Sequence, residues 1–233
     1  MEAMRDSVVI VGAGTMGCGI SVRSILARNH TILVLHRKGD NPRPARERVW
    51  TSLNCLVENK MYTQQIQQAE TLLEIMDPDT VPWDRARIVI ESIREDLQEK
   101  QSLFAQLDRL VPPEVPIWSN TSGLRISQIA EKMQYPERAV TTHFWLPAYL
   151  VPLVEVVPGE KTEMETARQA IAELKQWGKS PVLVRKDCPG QLANRILQAI
   201  IREAANIVEM GLATAEDVDM AIKMGMALRF PVW

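Results

Sequence analysis

The sequence predicts an α/β fold: a Rossmann-like, doubly wound, mostly parallel sheet followed by an incomplete all-α second domain. Three observations carry that prediction. From the N-terminus onward, short apolar runs alternate with longer segments of helical periodicity, the pattern of repeated strand–helix–strand units. A glycine-rich GAGTMG at residues 12–17 falls between the first apolar run and the first helical segment. Beyond Cys188-Pro189-Gly190 the alternation gives way to a continuous helical pattern.

Residues 7–12 (SVVIVG) read as a buried strand, 15–28 as a helix and 31–36 (TILVLH) as a second strand. Together they have the length of one mononucleotide-binding half. After a Pro- and Arg-containing turn, residues 42–59 are helical in pattern, and a short helix and a strand at Leu72–Met76 are expected next. A strand at 87–92 (RIVIES), a helix at 97–110 and a short strand at 117–119 follow. Segments 139–144 and 153–157 are β-like and are separated by a turn containing Pro147 and Pro152. A helix at 161–178 stops at Gly178, a suitable C-terminal residue, and a strand at 180–184 comes after it. The helical run from 191 to 210 ends at Gly211, and another helix begins near Thr214. The boundary is therefore expected near residue 187, giving domains 1–187 and 188–233. The chain ends on Phe230-Pro231-Val232-Trp233 without polar tailing-off, so the natural protein is expected to continue.

With 233 residues, 46% hydrophobic and 24% charged, the chain is long enough to bury a sizeable core. A net charge of -2 creates no positive field to attract nucleic acid or an anionic membrane surface, so neither is an expected partner. The apolar runs fall short of the roughly 20 residues that span a bilayer, and no secretory signal precedes the first strand. An intracellular, cytoplasmic protein is expected. Cys18, Cys55 and Cys188 are odd in number and lack Cys-x-x-Cys spacing, which argues against disulfides and against a zinc site.

Gly12-Ala13-Gly14-Thr15-Met16-Gly17 has the GxGxxG spacing in the context that gives it meaning, after a strand and opening a helix. The first glycine allows the tight turn, the second a close approach by pyrophosphate, and the third helix–strand packing. A nicotinamide dinucleotide is the expected ligand. NAD sites usually carry an acidic residue about 20 positions further on, at the end of the second strand, to hold the ribose hydroxyls. Here His36, Arg37 and Lys38 stand in that place. Cations there would pair with a 2′-phosphate, so NADP is expected to compete with NAD. A solvated strand end explains the same three residues equally well.

His143 closes one predicted strand and Glu155 lies in the next, among Leu153, Val154, Val156 and Val157. A carboxylate buried there unpaired would be costly, and an imidazole across the short turn removes that cost. Such a pair fixes the tautomer of the imidazole and raises its basicity, which suits proton removal from a carbinol near neutral pH. His30 reads as a loop residue without a role.

The segment 118–157 resembles the 3-hydroxyacyl-CoA dehydrogenase family. That family's pattern runs Ser-Asn-Thr-Ser, His-Phe-Phe-Asn-Pro and Leu-Val-Glu-Val-Val. This chain carries Ser119-Asn120-Thr121-Ser122, His143-Phe144-Trp145-Leu146-Pro147 and Leu153-Val154-Glu155-Val156-Val157. GAGTMG at 12–17, Glu91-Ser92-Ile93-Arg94-Glu95-Asp96-Leu97 leading to Lys100, and Pro189-Gly190 to Asn194-Arg195 extend the likeness over the whole chain. The resemblance implies hydride transfer between C3 of a 3-hydroxyacyl-CoA and the nicotinamide, with His143 exchanging the proton and Glu155 supporting it. It further implies that Ser122 touches the substrate oxygen and the nicotinamide ribose, that Asn194 helps close the site, and that Glu95 and Lys100 line the ribose side. Ser52 and Lys60 lie near the family's coenzyme A positions. A helical second domain that covers the site and forms a homodimer is implied as well.

Two positions depart from the pattern. Leu146 replaces an asparagine beside the histidine, and Trp145 replaces a phenylalanine, which removes an amide and enlarges a ring. Three readings stay open: an acyl-CoA dehydrogenase, a dehydrogenase of a free hydroxy acid such as a carnitine- or gulonate-like compound, and a dinucleotide-binding protein without catalysis.

Overall fold

The computed structural model of the protein describes residues 5–61, 69 and 71–230. Its strands are β1 Ser7–Val11, β2 His30–Val34, β3 Leu73–Met76, β4 Ala86–Glu91, β5 Ile117–Ser119, β6 Ala139–Phe144, β7 Leu153–Pro158 and β8 Ser180–Leu183. They form one eight-stranded sheet in the order β3-β2-β1-β4-β5-β6-β7-β8. Neighbours are parallel throughout except for β6 and β7, which are antiparallel. The helices are α1 Thr15–Leu26, α2 Arg43–Glu58, α3 Leu97–Leu110, α4 Ile126–Ile129 and α5 Met164–Gln176, followed by α6 Ala193–Glu209 and α7 Ala215–Ala221. Two compact units result, Met1–Gln191 and Leu192–Trp233. Among the described residues no helix is long and apolar enough to cross a membrane.

The unbroken apolar run of β1 has a direct cause. Val8 and Ile10 pack into one core cluster while Val9 and Val11 pack into another, so both faces of the strand are covered. A strand buried on both sides has no polar face to alternate with. The same division assigns Val140, Phe144, Val154 and Val156 to one cluster, with Trp118 and Trp177, and Ala139, Ile117, Phe104 and Ile126 to the other. Helix α3 starts at a true cap, where the Asp96 carboxylate accepts the Glu99 N–H at 2.9 Å. Its buried residues Lys100, Gln101, Phe104, Leu107 and Asp108 follow the spacing of a single helix face.

The departures from expectation are local. Strand β2 ends at Val34, so His36 lies beyond the sheet rather than within the strand. His30 opens that strand instead of sitting in a loop, with Nε2 2.7 Å from Glu74 Oε1 and Nδ1 3.0 Å from Ser7 Oγ. Helix α4 and the 3₁₀ turns Ala130–Lys132 and Pro136–Arg138 went unanticipated because they are too short to display a period. The short helix expected after residue 59 falls on residues outside the described ones.

Candidate active site

The first parallel strands all point their C-terminal ends to one edge, and the chain reverses direction across the sheet at β1, from which β2 and β4 depart on opposite sides. Crevices at such a switch point are where ligands enter doubly wound sheets. Gly12, at φ +113°, turns the chain there and its N–H donates to Val34 O at 3.1 Å. A Cβ on Gly12 would lie 2.5 Å from Ser92 O, and one on Gly17 would lie 1.8 Å from Gly12 O. The turn is thus pressed against the end of β4 on one side and against α1 on the other. Gly14, the N-cap of α1, is different: no side chain caps the helix there, and a Cβ would meet nothing within 4 Å. The helix therefore presents its first N–H groups to open space, with Thr15 exposed and Met16 packed against the core.

That space is a cleft of about 550 Å³ lined by Gly12, Ala13, Gly14, His36, Arg48 and Ile93 among others. Beside it lies an apolar pocket of about 200 Å³ walled by Val34, Leu35, Trp83, Ile93 and Leu110, which suits a flat aromatic base. These residues could hold a dinucleotide, with pyrophosphate at the bare helix end. A paired substitution separates the two glycine roles. Gly17→Ala should fail to accumulate as folded protein, because its methyl meets backbone. Gly14→Ala should fold normally yet raise the KM for NAD about tenfold, by filling the space of the phosphates. Thermal melts and steady-state kinetics of both variants test this, and an unchanged KM in Gly14→Ala would contradict it.

The cationic strand end expected to welcome a 2′-phosphate has acidic neighbours. His36, Arg37 and Lys38 are exposed, but Lys38 Nζ is 2.9 Å from Asp79 Oδ2. Asp40 Oδ2 accepts the Arg37 N–H at 2.9 Å, and Asp77 Oδ1 accepts the Gly39 N–H at 3.2 Å. Three carboxylates thus interleave with the cations, and the loop is not a net positive patch.

Beneath the cleft, Lys100 is 1% exposed, with Nζ 2.5 Å from Glu91 Oε1 and 3.4 Å from Glu95 Oε2. Its expected place lining the ribose side is corrected accordingly: the ammonium is enclosed and paired with these two carboxylates. Glu91 also accepts from Ser119 Oγ at 2.6 Å and from Ile93 N–H at 2.8 Å. Glu95 Oε1 accepts from Thr121 Oγ at 2.5 Å and from the N–H groups of Ser122 and Gly123, each at 2.9 Å. Burial alone would raise the Glu95 carboxyl. The Thr121 hydroxyl, the Gly123 and Ser122 amides and the Lys100 charge outweigh it and hold the group below its ordinary range. Glu95 thereby shapes the turn that carries the exposed Ser122.

The antiparallel step between β6 and β7 sets His143 directly opposite Glu155. Nδ1 of His143 is 2.8 Å from Glu155 Oε2, with the two residues 5% and 0% exposed. Trp145 Nε1 donates to the same oxygen at 3.1 Å. Asn120, left without a role in the sequence reading, ties the neighbouring strand end to this one: its Oδ1 accepts the Phe144 N–H at 2.8 Å. Leu146, in contrast, is 61% exposed. Asn194 belongs to the second unit, at the start of α6. Of the two positions near the family's coenzyme A contacts, Ser52 Oγ bonds back to Arg48 O at 3.0 Å and Lys60 is exposed just past the end of α2.

The turn after His143 is held from below by Lys179. This residue is 6% exposed, and its ammonium donates to the carbonyl of Ala148 and, at 2.7 Å, to that of Val151. Burial, assisted by the nearby Arg23 charge, lowers its pKa from 10.5 to about 8. In the unfolded chain the amine keeps its proton up to the ordinary value. Between the two values the unfolded state binds more protons, so this group's contribution to stability is least favourable below pH 8 and improves as pH rises through the window. Urea denaturation should show the wild type gaining on Lys179→Met from about pH 7.5 to about pH 9.5. A constant difference would refute the assignment.

Residues 7–188 match the family described as "3-hydroxyacyl-CoA dehydrogenase, NAD binding domain", and residues 190–232 match "3-hydroxyacyl-CoA dehydrogenase, C-terminal domain". The 5-formyl-3-hydroxy-2-methylpyridine 4-carboxylate 5-dehydrogenase of Mesorhizobium japonicum is 31% identical over 244 residues, covering 98% of this chain and 73% of the relative. The L-carnitine dehydrogenase of Streptomyces coelicolor is 35% identical over 229 residues, covering 97% and 70%. Among solved structures, the (S)-3-hydroxybutyryl-CoA dehydrogenase of Ralstonia eutropha superposes with a TM-score of 0.88 at 31% identity, over 97% of this chain and 78% of that one. The chain belongs to the 3-hydroxyacyl-CoA dehydrogenase family of NAD-dependent oxidoreductases.

Proposed function

We propose that the protein interconverts a 3-hydroxyacyl-CoA and its 3-keto counterpart, with His143 as the proton-transfer group. The observation that carries the reading is the 2.8 Å contact between His143 Nδ1 and the buried Glu155 carboxylate. An ionised carboxylate only accepts, so Nδ1 bears the hydrogen and Nε2 keeps its lone pair. Nε2 then takes the hydroxyl proton, and Glu155 stabilises the imidazolium that forms. In the reverse direction the imidazolium returns that proton to the oxygen. When bound, NAD supplies the two-electron acceptor for the hydride that leaves C3. Ser122 is the proposed contact to the substrate oxygen and Asn194 a polar group completing the site. Glu95 orients the Ser122 turn, and Lys100 supports Glu95 from within the core.

Residues 188–233 are proposed to belong to the substrate and dimerisation domain. Helix α6 offers a groove with Ile196, Ile200, Ala204 and Ile207 at helical spacing, a surface suited to a second copy.

A second reading, a free hydroxy acid as substrate, is favoured by one observation. Exposed Leu146 stands where the family pattern has a polar amide, in a chain 35% identical to a relative named L-carnitine dehydrogenase. One panel decides between them: acetoacetyl-CoA with NADH and NADPH, and L-carnitine and L-gulonate with NAD and NADP. The proposal expects turnover of the thioester, and turnover of the free acids alone would replace it with the second reading. NAD is expected to exceed NADP in kcat/KM by about tenfold, because Asp40, Asp77 and Asp79 offset the cations. Parity would restore the cationic reading of that loop. Sedimentation of the same preparations reads the dimer.

A further inference from the structure

We infer that Trp145 is a positioning residue of the proton-transfer pair, pinning Glu155 through its indole N–H and thereby fixing the orientation of His143. The inference rests on the dehydrogenase reading above. Three observations converge on it. The Trp145 Nε1 donor lies 3.1 Å from Glu155 Oε2, and His143 Nδ1 lies 2.8 Å from that same oxygen. The indole also flanks the imidazole, with ring centroids 5.5 Å apart and planes inclined at 52°. Glu155 itself is 0% exposed, so the donors that hold its charge must come from the protein.

The backbone makes this reach available. Trp145 is the first residue after β6, and β7 returns antiparallel beside it, with His143 paired to Glu155 and Phe144 to Val154. A side chain at 145 can therefore turn back onto the acid two rungs into the neighbouring strand. The phenylalanine of the resembling family pattern has a ring of related shape but no hydrogen to donate, so the bond is a feature of this chain.

Its effects on the pair are two. A carboxylate held by imidazole alone can rotate about its terminal torsion and exchange oxygens, because that torsion is broad and roughly two-fold. A second donor on Oε2 singles out one orientation, and with it the direction in which Nε2 points. The ring alongside the imidazole limits its rotation as well. Positioning of this kind acts on the turnover step, where a reacting geometry off by an ångström is costly, and not on cofactor affinity.

Trp145→Phe keeps an aromatic ring and deletes the donor. With acetoacetyl-CoA and NADH, or whichever panel substrate is turned over, kcat is expected to fall about tenfold while the KM for NADH stays within about twofold. Unchanged kcat, or a loss confined to KM, would overturn the inference. A second measurement needs no substrate. In ¹⁵N-tryptophan-labelled protein, the indole signal absent from Trp145→Phe identifies Trp145. Glu155→Gln should shift that signal and speed its hydrogen exchange about tenfold. The Trp177 indole, which donates to Glu173 at 2.7 Å, should not respond. A Trp145 signal indifferent to Glu155→Gln overturns the pairing. A responsive signal in a protein that turns over no panel substrate retains the pairing and discards the proposed substrates.

Discussion

His143→Gln is expected to lower kcat by about three orders of magnitude while leaving the KM for NAD within about twofold, because general acid–base catalysis supplies on the order of 10²–10⁴ of the rate. Glutamine is the informative replacement. Its amide can still donate to the Glu155 carboxylate, so the buried acid keeps a partner, but it cannot take up and return a proton near neutral pH. The glycine turn and the apolar base pocket are built from other strands, which is why cofactor affinity should be spared. Glu155→Gln should cost less, about a hundredfold, since the imidazole remains and only the support of its charged form is lost. Steady-state kinetics with the best panel substrate, alongside fluorescence titration with NADH, measure both. Activity of His143→Gln within tenfold of the wild type would remove His143 from the mechanism.

The second large effect is on stability. Lys100→Met leaves Glu91 without its cation in a site where the carboxylate is 0% exposed, and Ser119 and Ile93 cannot neutralise the charge. Breaking a buried pair from one side costs about 3–5 kcal/mol, whereas a solvent-exposed pair is worth about 0–1 kcal/mol. The exposed Arg94–Glu99 pair, nearby on the same segment, provides the contrast: Arg94→Met should shift the urea midpoint little. Adding Glu91→Gln to Lys100→Met should recover part of the loss by removing the stranded charge. A single-variant loss below about 1 kcal/mol would mean that water or a neighbouring group solvates Glu91 after all.

The glycine turn and the histidine–glutamate pair were legible in the sequence for the same reason: each is fixed by short-range pattern. A strand, three spaced glycines and a helix determine the turn. Two apolar strands joined by a Pro-containing turn bring positions 143 and 155 into the same rung. What stayed hidden depends on partners remote along the chain. The acids that temper the His36–Lys38 loop include Asp77 and Asp79, some forty positions later, and no local reading of the loop could supply them. Lys100 matched a motif position, yet only the packing of α3 against β4 shows its ammonium enclosed between Glu91 and Glu95. Asn120 was visible inside its motif, but its bond to the Phe144 amide requires the β5–β6 register. Trp145 is visible in the motif as a larger ring, whereas its indole bond to Glu155 requires the β6–β7 register.

The reversal at β7 constrains what may change between residues 145 and 152. Strand phase is dictated by Val154 and Val156, which face the Trp177 side of the sheet, so the acid between them must face the other way. Sliding β7 by one rung would bury a carboxylate against tryptophan and present valine to the imidazole, and lengthening the turn would displace core-packed Ala148 and the carbonyls that Lys179 holds. Engineering of the pocket mouth is therefore best confined to the exposed side chains Leu146 and Leu150, with the length of the turn and the two strands left untouched.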